Sequence, residues 1–228
     1  MIPACITIPV GRFWRGGSPD DKFVGTTELP RSEIVIQAPF KMSICPITVS
    51  DWQKWKQNGR GDCNPDLPVT RISWHDAIAY CDWLTRSSGK TWRLPTEIEW
   101  EYACRAGTET PFHTGDTISP DQANFFYSED GNRVGPGELL PVGCFEPNAF
   151  GLHDMHGNVC EWTADRWRFH HGPGAPTDPS RRVIRGGGWD YLPRLLRSSW
   201  RDGLPPETKR DNLGFRVVTE CRCAAKTI

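Results

Sequence analysis

No C-x-x-C pair occurs in the 228 residues, which excludes the spacing of zinc ribbons and thioredoxin-type redox sites. No run approaches the roughly 18 consecutive apolar residues that a membrane-spanning helix needs. Charge of one sign is not in excess either: 27 Lys+Arg face 28 Asp+Glu, a formal net charge of −1. That balance leaves no overall electrostatic footprint for nucleic acid or a charged membrane, and neither is expected as a partner. Internal repeats and low-complexity tracts are lacking. So is a positively charged leader running into an apolar core: Met1-Ile-Pro-Ala-Cys5 opens directly into strand-like sequence. A cytoplasmic location is the expectation.

The chain does hold 11 Trp, 22 Gly and 20 Pro, a composition of many turns pinned by large rings. Most of these Trp are expected to fill the core between loops. The nine Cys form an odd set, read as small buried thiols in a reducing compartment. Cys221-Arg-Cys223 hints at metal or redox chemistry but reads as incidental.

Ile6 to Trp14 alternates and predicts a strand followed by a turn, and Glu33 to Gln37 predicts a second strand, halted by Pro39. Ser50 is placed to cap a short helix over 51–58, closed by Gly59. A longer helix starts at Ser73 with Asp76 near its positive end. Ala77, Tyr80, Cys81 and Leu84 line one face, and Gly89 ends it. Thr96 and Glu99 make a T-x-x-E capping box for a third helix, stopped at Gly107. Beyond Thr108 loops and short strands alternate, 169–181 reads as a long exposed loop, and 183–186 and 214–219 read as closing strands. The pattern is that of one loop-rich α+β domain spanning 1–228.

Four segments carry a resemblance: Arg93-Leu-Pro-Thr-Glu-Ile-Glu-Trp-Glu-Tyr-Ala103, Asn148 to Trp162 with Gly-Asn-Val-Cys-Glu-Trp at its end, Arg185-Gly-Gly-Gly-Trp189, and Asn212-Leu-Gly-Phe-Arg-Val217. In order and spacing, over nearly the whole chain, they resemble the formylglycine-generating-enzyme, or sulfatase-modifying-factor, family. The resemblance implies a C-type-lectin-like fold of two or three helices, a small twisted antiparallel sheet and much irregular loop. It covers copper-dependent oxidases, substrate-side domains of iron-dependent sulfoxide synthases, siderophore-maturation proteins and variable proteins of diversity-generating retroelements. One fold therefore hosts enzymes and binders, and the site must decide.

The oxidases hold a copper-binding cysteine pair shortly after the Gly-Gly motif, thiolates being soft ligands for Cu(I). No Cys lies between Cys160 and Cys221 here, so copper is not expected and no catalytic residue is assigned. The six His (75, 113, 153, 156, 170 and 171) show no recurring ligand spacing and read as solvated or hydrogen-bonded side chains. Ser198 and Ser199 have no His placed beside them. The resemblance implies a structural calcium held by the side chains of Asp154 and Glu161 and the carbonyls of Gly157 and Val159. A second calcium site would begin at Asn124-Phe125, with no clear later acidic ligand. Asp154 and Glu161 could equally cap backbone N–H groups in a metal-free turn.

Trp189, Asp190, Tyr191, Trp200, Arg201 and Asp202 mix aromatics with Arg and Asp, the composition of a binding patch. The expected function is a non-catalytic module binding a protein, a peptide or a small molecule. A sharper form is a retroelement variable protein, marked by a near-copy of the coding DNA for 183–216 beside a reverse transcriptase. The alternatives are a metal-dependent oxidase or maturation enzyme with non-copper chemistry, and an accessory domain of a kinase or protease.

Overall fold

The structure, a computed structural model, describes residues 2–56 and 64–221. Gly59, the end of the first expected helix and Cys223 lie outside the described residues. The opening segment forms two strands rather than one. Pro9 lacks the N–H that a continuous ladder requires, and β1 (Cys5–Ile8) and β2 (Gly11–Arg15) diverge into different sheets. β2 pairs with β3 (Ser32–Ile36) as a two-stranded ribbon. β1 pairs with β4 (Phe40–Ser43) in a four-stranded sheet that the last strand will complete.

α1 (Val49–Trp55) is capped by Thr48, whose hydroxyl accepts the Asp51 N–H, so the cap falls two residues before Ser50. α2 (Trp74–Ser88) has the reciprocal Ser73/Asp76 cap and closes at Gly89 with φ +66°. After the short β5 (Trp92–Arg93), α3 (Glu97–Arg105) starts in the Thr96/Glu99 capping box; it stops at Ala106, in the left-handed region, one residue before Gly107. Five of the eleven Trp (52, 92, 100, 162 and 167) are buried, which is fewer than expected; Trp14 is exposed and the rest are half-buried. Trp52, Tyr80, Trp162 and Phe215 form the centre of the main core.

The second four-stranded sheet is built from β6 (Cys160–Arg168), β7 (Thr177–Arg185), β8 (Asp202–Leu204) and β9 (Leu213–Phe215), in the order β8-β7-β6-β9. β10 (Val218–Glu220) inserts between β4 and β5 in the first sheet. Two expectations change here. The sheets are not wholly antiparallel, because β6 pairs β9 in parallel. And 169–181 is not all loop: Thr177 already pairs with Arg168, with Pro179 accommodated where the register shifts between Arg166 and Trp167. The remaining order of helices, short strands and long irregular segments is the α+β, C-type-lectin-like fold.

Replacing Thr96 with Ala removes the acceptor for the Glu99 N–H. It should lower stability by about 1 kcal/mol in urea denaturation, with no change in the slope.

Candidate ligand-binding site

α3 delivers two carboxylates to the interior. Glu97 and Glu101 are one turn apart and both buried. The fully buried Arg185, at the end of β7, reaches both: 3.4 Å to Glu97 Oε1 and 2.7 Å to Glu101 Oε2. Arg201 forks onto Glu97 at 2.5 and 3.0 Å, Arg15 reaches it at 2.8 Å, and Arg105 closes on Glu101 at 3.0 Å. Arg185 also donates to the carbonyls of Ser198 and Ser199. A second buried knot joins Arg197 to Asp21 and Glu28, each at 2.8 Å. Burial alone would raise the Glu97 carboxyl, but Arg201, Arg185 and Arg15 outweigh it and hold it at about 2.

These ion pairs fix the segment from Arg185 to Arg201. Gly187 has φ +71° and a Cβ there would stand 2.7 Å from the Leu195 carbonyl oxygen; a Cβ on Gly188 would stand 2.9 Å from Asn212 Cβ. The Gly-Gly-Gly run is thus a backbone fold that side chains would block. It turns Trp189 outward, with the Trp189 N–H donating to the Asn158 carbonyl.

The result is a polar groove of about 440 Å³ lined by Trp189, Asp190, Tyr191, Lys209, Arg210, Asp211 and Asn212. Asn212 donates to Asp190 at 2.6 Å. Tyr191 stands edge-on to Trp200 at 5.6 Å, and burial raises its phenol, as it does the neighbouring Cys160 thiol. Trp189 Nε1 is a buried donor with no partner among the described residues.

The expected six-residue patch therefore splits. Trp189, Asp190 and Tyr191 line the groove, whereas Trp200 packs behind Tyr191 against the main core. Arg201 is buried, bound to Glu97 and stacked over Trp167 at 4.4 Å, and so is a structural cation rather than a contact residue. Asp202 starts β8, faces Arg181 at 3.4 Å and does not line the groove. Lys209 and Arg210 do line it. Their only sequence signal is a charged run, Lys209-Arg-Asp-Asn212, before the last strands.

Asp154 and Glu161, the expected calcium ligands, are both buried and near enough for the Glu161 charge to bear on Asp154. Glu161 is fully buried and accepts three hydrogen bonds, from Arg216 Nε at 2.7 Å, Arg216 Nη2 at 2.8 Å and Trp100 Nε1 at 2.7 Å. Its charge is paired with that of Arg216, which follows β9. Asp154 accepts the Gly143 N–H at 2.8 Å, and burial raises its carboxyl. No group of three or more His, Cys, Asp or Glu among the described residues is arranged to hold a metal. Near the second expected calcium position, Asn124 Oδ1 is buried without a partner, and Asn124 Nδ2 donates to the Glu138 carbonyl and to Asn158.

The histidines are largely accounted for by burial and hydrogen bonds. His156 is held by the Leu196 carbonyl and the His113 N–H, and burial pushes its imidazole down to about 3. Cys104 lies 3.8 Å from that ring, but its thiol is pushed up to about 12 by burial, so the pair is not an activated thiolate. His171, expected in an exposed loop, instead buries both ring nitrogens, and burial lowers it to about 3 beside Glu97.

With this geometry in hand, the sulfatase-modifying factor enzyme 1-like domain model matches residues 1–221, and the chain belongs to that family. The formylglycine-generating enzyme of Mus musculus is 38% identical over 172 residues, 67% of this chain and 44% of that protein, so the chain spans less than half the length of that relative. The inactive C-alpha-formylglycine-generating enzyme 2 of Mus musculus is 30% identical, covering 95% of this chain and 86% of the relative. Among solved structures, PvdO from Pseudomonas aeruginosa superposes with a TM-score of 0.84 at 30% identity, over 96% of this chain and 95% of that one. Treponema denticola variable protein 1 shares the fold, with a TM-score of 0.79 at 22% identity over 95% of each chain.

Two predictions follow from the charges. Glu97 has a lowered folded-state pKa, so its contribution is complete above its unfolded value of about 4.3 and is lost as pH falls through about 2. His156 and His171 are also lowered, so their share declines as pH falls from about 6.5 towards 3. Stability measured by denaturant titration should fall steadily from pH 7 to 3, and the decline should be shallower in His171→Phe. Glu161→Gln should cost about 3–5 kcal/mol in denaturant titration by stranding Arg216. A cost within the range of an exposed ion pair, below about 1 kcal/mol, would overturn the buried Glu161–Arg216 pairing.

Proposed function

We propose that the domain is a non-catalytic module that binds a protein, peptide or small-molecule ligand in the groove at Trp189, Asp190, Tyr191 and Asn212. One observation carries this reading. The groove gathers aromatic faces, two cations, two carboxylates and an amide, but no Ser, Cys or His. These are recognition groups, and a Ser or Cys nucleophile with a His base is missing from the lining. The segment from Gly186 to Arg201 offers no thiolates for copper.

A retroelement variable protein is the sharper form of this proposal, supported by the shared fold with the Treponema denticola protein. The enzyme alternative, metal-dependent oxidation or maturation with non-copper chemistry, draws on the relatives named formylglycine-generating enzyme. Plasma mass spectrometry of protein purified without a metal-affinity tag separates the two, together with a cysteine-peptide oxidation assay. The binding reading predicts no stoichiometric copper or iron and no thiol loss. Peptides selected on the wild-type domain from a phage-displayed random library should bind Trp189→Ala at least about tenfold more weakly. Stoichiometric redox metal with peptide oxidation, or selected peptides indifferent to Trp189→Ala, would refute it.

A further inference from the structure

A larger cavity, about 710 Å³, opens on the other side of the same Trp189–Arg197 segment, and the proposed recognition groove shares none of its lining. Its size is that of a small-molecule site. Phe23, Phe112, Ile118, Phe125, Val134 and Pro193 supply its apolar wall. Phe112 and Phe125 belong to a separate small core with Leu196, so this side of the cavity is packed.

Ion pairs hold the opposing walls apart. Arg197 donates to the Arg194 carbonyl at 2.7 Å, to the Phe23 carbonyl at 2.9 Å and to Asp21 at 2.8 Å. Arg194 closes on Glu129 at 2.8 Å, with its backbone N–H on the same carboxylate. Three segments, around 21–23, 129 and 193–197, are thereby tied together. The cavity is preformed, which lowers the ordering cost of binding.

The charge on the lining decides what fits. Five carboxylates (Asp20, Asp21, Glu109, Asp116 and Glu129) face three cations (Lys22, Arg194 and Arg197). Both guanidiniums are already matched by carboxylates, so an entering anion would have to displace Asp21 or Glu129. Asp20 and Asp116 are exposed and make no ion pair among the described residues. Asp20, Asp116, Ser18 and Ser119 all lie in the lining and offer oxygens to an ammonium; Phe112 and Phe125 offer aromatic surface, while the Phe23 ring already carries Lys22 at 4.8 Å and Arg194 at 5.9 Å.

We infer that this cavity binds an amphiphilic cation: an aromatic or aliphatic body seated on Phe23, Phe112 and Phe125, with a protonated amine at the Asp20/Asp116 rim. The site shares no lining residue with the groove.

The test compares two fluorescent probes with one apolar body and opposite charge, dansylcadaverine and the dansyl amide of aminohexanoic acid. Dansylcadaverine should bind saturably, with a blue-shifted emission, and the carboxylate probe should bind more weakly. Asp20→Asn and Asp116→Asn, both at exposed positions, should each weaken dansylcadaverine by about two- to fivefold. Ile118→Lys should abolish its binding while circular dichroism stays native. Trp189→Ala should leave the affinity unchanged, which separates this site from the groove. Equal binding of the two probes, saturable binding of neither, or insensitivity to both Asp→Asn changes would overturn the inference.

Discussion

Two carboxylates on one face of α3, Glu97 and Glu101, are buried where four guanidiniums converge. Carboxylates there are tolerable only as ions paired and hydrogen-bonded on every side, since an unpaired buried charge costs several kcal/mol. The arginines that satisfy them come from distant parts of the chain: Arg15 on β2, Arg185 on β7 and Arg201 just before β8. The pairing therefore does more than neutralise charge. It ties the N-terminal ribbon and the second sheet to α3, and it fixes both ends of the segment 185–201.

What that segment presents follows from its fixed ends. Its glycines turn the backbone too tightly for side chains, which brings Trp189 and Tyr191 to one side. Pro193, Arg194 and Arg197 face the other. Tyr191 packs against both the main core and the small Phe112/Phe125 core, so the groove and the cavity share a wall. The segment is a partition with the polar groove on one face and the larger cavity on the other. The same economy appears at Glu161, where Arg216 provides the positive charge.

The parts of the fold legible in the sequence were those set by local chemistry. The Ser73 and Thr96 caps, the apolar face of α2 and the stop at Gly89 depend on residues within one turn of each other, and they stand where their spacing put them. The β6–β7 hairpin was hidden because Gly-Pro-Gly and Pro179 signal irregular backbone, whereas pairing of Arg166 with Arg182 is settled across the sheet. At the site, Trp189, Asp190 and Tyr191 were visible as an aromatic and acidic run. Arg201 misled because arginine is ordinarily exposed, and nothing near it in sequence announces Glu97, which lies 104 residues away. The ion-pair partner of Glu161, Arg216, was equally hidden, because it stands 55 residues on. The acidic chamber was not legible at all, because its lining comes from four separated stretches.

The Glu97 cluster holds the 185–201 partition in place, and hydrogen exchange of Glu97→Gln, read by mass spectrometry, reports on that hold. Peptides covering 189–201 and the β2–β3 ribbon should exchange faster, with α2 and its core retaining wild-type protection. Unchanged exchange across 189–201 in a folded Glu97→Gln protein would contradict it.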